Sequence, residues 1–322
     1  MKVAVTGGSG VVGSAVVRHL IDAGNEVAAL ARSRQASEKL EGLGATVVSG
    51  DILDPDAVGR LVEGRELVFH VAGVNELCSR DPSQMWKVNV EGTTTVVEQA
   101  QLMGVERMVL TSSAVTIGEE RGVRGHERSL HRGHFLSEYE RSKTVAERLA
   151  FDMAGDLDVV AVNPSSVQGP GRSTGTGALL LAAAQGRSRF LVDTTFSLVD
   201  IDDCARGHLL AAEQGASGER YILSGGVLTV RQVARIIDSI LGRRRRTWFI
   251  RPGLVSALAP VVETAFRGIR RQPPLCRESA RVLLHGHSYD GRKATRDLGL
   301  EYTTVEDTLE RAIRWFRDEG ML

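Results

Sequence analysis

The chain has 322 residues, 42% hydrophobic and 25% charged, the balance of an ordinary globular protein with room for one large domain and a smaller one. Forty Lys and Arg offset forty Asp and Glu, so the net charge is zero and bulk nucleic-acid binding is not expected. No apolar run is long enough to span a bilayer, and no charged leader with a cleavage site precedes the first apolar segment, so no integral membrane segment is expected. Cys78, Cys204 and Cys276 are odd in number, scattered and without metal spacing; they read as reduced thiols, and the chain as cytoplasmic.

Lys2–Thr6 is apolar and β-branched and predicts a first strand. A glycine turn follows, then a helical pattern from about Val12 to Ala23, closed by Gly24-Asn25. Glu26–Leu30, Ala45–Val48, Leu67–Val71, Arg107–Thr111 and Val159–Val162 predict strands two to six. Strands alternating with helices imply a parallel sheet covered on both faces. The right-handed crossover rule then leaves a doubly wound α/β arrangement. After Asn163 the pattern changes to a Gly/Pro/Ser/Thr-rich loop, Gly169–Gly177, followed by helices with short strands. The expected division is therefore 1–165 as the sheet domain and 166–322 as a smaller substrate-binding region, with some segments returning to the sheet. The stretch from Leu298 to Phe316 ends in an amphipathic helix that reads as core.

The string TGGSGVVG places Thr6, Gly7, Gly10, Val11, Val12 and Gly13 between the first strand and the first helix. Glycines there permit a tight turn and bring a pyrophosphate close to backbone N–H groups at a helix N-terminus. A glycine-rich structural turn is the plain alternative; the strand-loop-helix context favours a Rossmann NAD(P) site.

The spacing Gly-x-x-Gly-x-x-Gly, with further motifs in order along the chain, resembles the extended short-chain dehydrogenase/reductase superfamily, of the NAD-dependent epimerase/dehydratase type. Asp51-Ile52 in GDILD matches that family's adenine contact. FHVAG, with His70, Val71, Ala72 and Gly73, matches the loop after strand four. Asn89 in VNVEGT, Ser112 and Ser113 in TSSAV, and Tyr139 with Lys143 in YERSK match further motifs. NPSSVQGPG, with Asn163, Pro164 and Ser166, and LVDIDDCARG around Asp200–Asp203 complete the set. ALARS, NPSSVQGPG and RPGL make the chain look closest to dihydroflavonol reductase-like proteins; it is also similar to 3β-hydroxysteroid dehydrogenases and nucleotide-sugar epimerases. The resemblance implies that Thr6, Gly7, Gly10, Val11, Val12, Gly13, Asp51, Ile52, Val71, Ala72, Gly73, Asn89, Asn163, Pro164 and Ser166 bind cofactor, with Tyr139 and Lys143 shared between cofactor and catalysis.

Tyr139 and Lys143 lie four apart, on one face of a helix. A free phenol is a poor base at neutral pH, and a nearby ammonium favours the phenolate. Tyr139 is then the expected proton carrier to a substrate oxygen, and Ser113 the hydrogen-bonding partner of that oxygen. Ser113 is preferred to Ser112 because it precedes Ala-Val as the family's serine does. Where the family often has proline before the tyrosine, this chain has Glu138, a departure expected to reshape the entrance.

His126, His131 and His134 lie in a polar segment that reads as a substrate-facing loop; their spacing matches no metal motif, so no metal is expected. His70 and His208 read as structural. Arg243–Arg246 reads as a solvated surface, with an anion grip or a contact with an acidic membrane as the alternative. TWFIRPGLVSALAPVV, interrupted by Pro252 and Pro260, reads as a packed helix of the substrate region rather than a membrane-surface helix.

Strand two ends in Ala31 with no acid to take a ribose 2′-OH, and Arg32 follows, then Ser33 and Arg34. NADP(H) is therefore the favoured cofactor, with NAD(H) the alternative, and Arg32 the 2′-phosphate ligand. The expected function is reversible hydride transfer between a ketone or aldehyde and an alcohol on a small-molecule substrate. The rivals are a nucleotide-sugar epimerase or dehydratase using the same triad, with Arg172, Arg187 and Arg189 available for a diphosphate, and a non-catalytic NADPH-sensing protein. A homodimer is a candidate assembly.

Overall fold

Runs such as Val3–Val5, Val27–Ala31 and Val159–Val162 are apolar on both alternating faces, which suits a strand buried from two sides. The computed structural model describes residues 1–187, 190–243, 247–269, 271 and 273–322. Its strands are β1 (Lys2–Thr6), β2 (Glu26–Ala31), β3 (Thr46–Ser49), β4 (Leu67–His70), β5 (Arg107–Thr111) and β6 (Asp158–Pro164). β7 (Ser166–Gln168), β8 (Phe190–Val192), β9 (Thr195–Asp200), β10 (Arg220–Leu223), β11 (Gly226–Thr229) and β12 (Trp248–Ile250) follow. The helices of the first half are α1 (Val11–Asp22), α2 (Arg34–Gly42), α3 (Pro55–Val62), α4 (Ser83–Trp86), α5 (Gly92–Leu102) and α6 (Glu138–Asp152). Those of the second are α7 (Thr176–Gln185), α8 (Ile201–Gln214), α9 (Val230–Ile240), α10 (Pro252–Gly268), α11 (Arg277–His285), α12 (Arg292–Leu298) and α13 (Val305–Asp318).

Seven strands form one sheet in the order β10-β6-β5-β4-β1-β2-β3, every pair parallel. This is the Rossmann-like α/β arrangement expected. Val3 and Val5 join one apolar cluster with α1 and α8, while Ala4 joins the opposite cluster with α3 and α5. The strand order reverses between β1 and β4, and the crevice at their C-terminal ends is where such sheets bind ligands. Residues after 165 do not form a separate body: β10 pairs with β6, and α8 packs against β5 and β6. Around that sheet edge, β11-β9-β7 form a second small sheet and β12-β8 a third. α13 packs Leu309, Ile313 and Phe316 into the core beneath this cover.

Two expectations are corrected here. Cys78 and Cys276 are not separate thiols but are joined in a disulfide, with Cα atoms 5.8 Å apart; Cys204 alone is free, buried in α8. The partners are 198 residues apart in sequence, so spacing carried no sign of the pair. Of the two prolines, Pro252 does divide the apolar segment, standing where β12 gives way to α10, but Pro260 does not. Pro252 occupies the first position of α10, where its missing N–H is not needed, and the helix continues through Pro260. α10 buries Val255 and Ala259 but exposes Leu254, Leu258 and Val261, so it is packed along one edge only. Of the arginine run, 244–246 lie outside the described residues, as does Arg189. Among the described residues, no helix is long and apolar enough to cross a membrane.

Candidate active site

The glycine loop runs from the end of β1 into α1. Gly7 has φ +70°, and a side-chain carbon there would lie 2.5 Å from the Ala72 nitrogen. At Gly13 a Cβ would overlap the Gly7 carbonyl. The loop closes on itself through the Gly10 N–H, which donates to the Gly7 oxygen at 3.0 Å. Gly10 caps α1 without any side-chain acceptor, so the N–H groups opening α1, at Val11 and Val12, meet no capping side chain. An uncapped helix start behind a turn stripped of Cβ atoms fits the pyrophosphate of a dinucleotide. Lys39 steadies the loop by donating to the Ser9 carbonyl at 2.8 Å.

At the far end of this crevice, Arg32 follows β2 and is 62% exposed, its guanidinium 3.6 Å from the Asp51 carboxylate. Asp51 also accepts from the Leu53 N–H, and Ile52 is buried against Gly92. Ser33 caps α2, and Arg34 pairs with Glu38 on the same helix. Arg32 is thus the basic group of this stretch that faces Asp51 across the crevice.

The segment Val71–Gly73 follows β4 beside the glycine loop. His70 is fully buried, with Nδ1 2.7 Å from Thr6 Oγ1 and Nε2 2.9 Å from Thr93 Oγ1; burial, with Lys143 nearby, depresses it to about 3 and keeps it neutral. Asn89 accepts from the Val74 N–H at 2.7 Å and donates to the Val74 carbonyl and to Ser142 Oγ. Its amide is engaged at both ends in pinning this loop to α6, so its part in the site is to position backbone. Asn163 donates through Nδ2 to Glu147, Thr116 and the Ser113 carbonyl, while its Oδ1 is buried without a hydrogen-bond partner among the described residues. Pro164 ends β6, and Ser166 bonds Thr176 and Gln168. Asp200 and Asp203 of the C-terminal motif are likewise structural: Asp200 caps α8 and pairs with Arg311, and Asp203 holds Thr303.

Ser113, Tyr139 and Lys143 converge at the C-terminal edge of β5. Ser137 caps α6 through the Glu140 N–H, which sets the helix so that Tyr139 and Lys143 share a face. Burial raises the Tyr139 phenol above its ordinary value; a hydrogen bond with Ser113 and the charge of Arg172 act in the other direction. The downward pull expected from Lys143 is not among these influences; Ser113 and Arg172 supply the downward pull instead, and burial outweighs them. Lys143 is almost fully buried and donates to the Thr111 carbonyl at 2.8 Å, while a Cβ on Gly73 would stand 3.7 Å from Nζ. Burial lowers Lys143 to about 8, against the charge of Glu147. Ser112 is buried with its hydroxyl unpartnered among the described residues.

Two sets of contacts at the site were not legible in sequence. Arg172 lies close enough for mutual electrostatic influence with Tyr139, and its Nε is buried without a hydrogen-bond partner among the described residues. Glu278 at the start of α11 accepts from the Cys78 N–H and from the Glu138 N–H, each at 2.7 Å. With the disulfide, it ties the cover to both the loop after β4 and the first turn of the tyrosine helix. Glu138 itself accepts from Trp86 Nε1 at 3.0 Å. A proline at position 138 has no N–H to give Glu278, so the departure noted in the sequence is part of this tie. His126 is spent on a local turn, and His131 packs on Phe135 with Nε2 3.7 Å from Glu140.

A family model described as the NAD dependent epimerase/dehydratase family matches residues 3–224. The chain is 31% identical to sterol demethylase protein B of Methylococcus capsulatus, over all of both chains. It is 31% identical to a putative dihydroflavonol 4-reductase of Synechocystis, covering 98% of this chain and 94% of that protein. It is 30% identical to 2-alkyl-3-oxoalkanoate reductase of Shewanella oneidensis, covering 95% and 84%.

Proposed function

The chain belongs to the NAD-dependent epimerase/dehydratase family, the extended short-chain dehydrogenases/reductases, and we propose that this enzyme interconverts a ketone and a secondary alcohol, with NADP(H) preferred. The observation that carries the reading is the meeting of Ser113, Tyr139 and Lys143 beside a cradle that fits a dinucleotide. A bound nicotinamide supplies the hydride in reduction and takes it in oxidation. Tyr139, held as the neutral phenol by burial, donates its proton to the carbonyl oxygen as the alcohol forms. Ser113 hydrogen-bonds the same oxygen and stabilises its developing charge. Lys143, charged below about pH 8, favours the phenolate left behind and holds the cofactor's ribose.

Arg172 extends the proposal to the substrate. A half-buried guanidinium with an unpartnered Nε beside the acid suits an anionic group close to the reacting oxygen. A 3-oxo or 3-hydroxy acid places a carboxylate at that distance, and the name 2-alkyl-3-oxoalkanoate reductase describes such a compound. Reduction of 3-oxo acids followed by loss of NADPH absorbance tests the reading. Turnover of simple ketones undiminished in Arg172→Ala, with no preference for the acids, sinks the carboxylate assignment. The family's other chemistry, epimerisation of a nucleotide sugar, uses the same three residues; NAD retained through purification and interconversion of sugar epimers would establish it instead.

The NADPH preference rests on Arg32 and the absence of an acid at the end of β2. An Arg32 contact with the 2′-phosphate is worth about 1.5–3 kcal/mol, roughly ten- to a hundredfold in affinity. Dissociation constants of NADPH and NADH for wild type and Arg32→Ala decide it. A loss shared equally by both cofactors shows that Arg32 reads no phosphate.

A further inference from the structure

Glu119 leaves the short helix after β5, while His285 ends α11 and His287 follows two residues on. The fold brings one ligand atom of each within 4.8 Å of the others. Glu119 Oε1 lies 2.7 Å from His287 Nδ1 and 3.4 Å from His285 Nε2. The Glu119 side chain is only 1% exposed, and those of His285 and His287 are 7% and 15% exposed. Tyr289 adds its hydroxyl 2.9 Å from His287 Nδ1.

The cluster is poorly completed by protons alone. Glu119 Oε2 and His287 Nε2 are both buried without a hydrogen-bond partner among the described residues. The carboxylate's recorded ion pairs are with the two imidazoles, and the nearby Arg132 donates instead to the Glu119 backbone carbonyl. A carboxylate taken out of water needs a compensating charge, which a cation held between it and the two imidazoles supplies. His287 Nδ1 also faces both the carboxylate and the Tyr289 hydroxyl, yet a ring nitrogen carries one proton at most.

We propose that Glu119, His285 and His287 form a binding site for one divalent transition-metal ion of the zinc type. Two imidazoles and a carboxylate are a zinc donor set, with bonds of about 2.0–2.1 Å. A tetrahedron of such bonds sets donors about 3.3 Å apart, so the 3.4 Å separation fits and the 2.7 Å pair must open by about 0.6 Å. The Tyr289 hydroxyl or water completes the fourth position. The ion has a structural place. It clips the end of α11 to the loop before α6, whose Arg132 pairs in a buried contact with Glu140, the neighbour of Tyr139. The site is separate from the dinucleotide cradle and takes no part in hydride transfer.

The test uses the untagged full-length chain, stripped with a chelator and titrated with zinc by calorimetry, with cobalt absorption as a second readout. The expected result is one equivalent per chain, a tetrahedral cobalt spectrum and a Tm that rises with zinc. Glu119→Gln and His287→Gln should each weaken zinc binding at least about a hundredfold, with the fold checked by circular dichroism. His126→Gln with His134→Gln should leave the equivalent in place. Absence of stoichiometric binding to folded wild type overturns the proposal, as does binding unchanged in His287→Gln. Loss of the equivalent in the His126/His134 variant assigns the ion to the other loop and overturns it equally. If Glu119→Gln does not fold, His285→Gln and His287→Gln carry the decision.

Discussion

The two halves of the molecule hold themselves together differently. Around the seven-stranded sheet the chain relies on apolar burial: Val3, Phe69, Val109 and Val160 are wholly inaccessible, and helices cover both faces. The cover built from β8, β12, α10 and α11 is looser. Phe190 is 67% exposed and Trp248 51% exposed, and α10 shows Leu254, Leu258 and Val261 on its surface. Besides its own small cluster, this cover is held to the sheet half by discrete ties: the Cys78–Cys276 bond, the Glu278 carboxylate, and Arg80 donating to the Arg267 carbonyl. The rigid half carries Ser113, Tyr139 and Lys143, and the tied half closes over them. Damage to the chemistry and damage to the entrance should therefore be separable.

The largest expected effect sharpens that separation. Tyr139→Phe removes the acid and keeps the ring, so turnover should fall on the order of 100- to 10,000-fold. Cofactor affinity should change little, because the cradle is made by backbone at Gly7–Gly13. Stopped turnover with the cofactor Kd also lost would mean that the two functions are not separable. Residual activity above a tenth of wild type would remove Tyr139 from the mechanism.

A smaller effect should come from pH. Lys143 titrates near 8 instead of its ordinary 10.5 because burial opposes its charge. It is charged below about pH 8 and neutral above, so its contribution to cofactor binding is present at pH 7 and fades as pH rises through 8. A single proton allows at most about tenfold loss of affinity per pH unit beyond that point. The fold responds with the opposite sign. Between about 8 and 10.5 the unfolded lysine holds a proton that the folded one has lost, so this group raises stability with pH there. Lys143→Met should flatten the Kd profile between pH 7 and 9. A wild-type profile already flat in that window would show that the ammonium does not hold the cofactor.

What sequence could show follows the same divide. β1 and β5 are read to the residue because strands buried on both faces are continuous apolar runs bounded by glycine or polar turns. Tyr139 and Lys143 are four apart, so helix geometry alone places them together. The ties of the cover have no such local signature. Cys78 and Cys276 are 198 residues apart, Glu138 and Glu278 are 140 apart, and Glu119 meets His285 across 166. Asn89 shows the converse: its motif is legible, but a motif does not say that both ends of its amide are already used on neighbouring backbone.

The smallest effect tests whether the tie at position 138 is what sets the entrance. Glu138 is the first residue of α6, where proline is well tolerated because that N–H has no helical partner. Ser137 before it has φ −146° and ψ 158°, an extended conformation that a following proline accepts. Glu138→Pro should therefore leave α6 and the Tyr139–Lys143 face intact while deleting the N–H that Glu278 accepts. A hydrogen bond to a charged group is worth about 1.5–3 kcal/mol, partly recovered here by water at a half-exposed site. The expected outcome is a modest rise in KM with kcat nearly unchanged, and a small fall in Tm. Glu138→Gln is the control. It keeps the N–H, and its amide oxygen can still accept from Trp86, so its KM should stay at the wild-type value. An equal rise in both variants would place the effect in the Glu138 carboxylate rather than in the tie. A fall in kcat with Pro alone would mean that the cover positions Tyr139 itself, and that the two halves do not act independently.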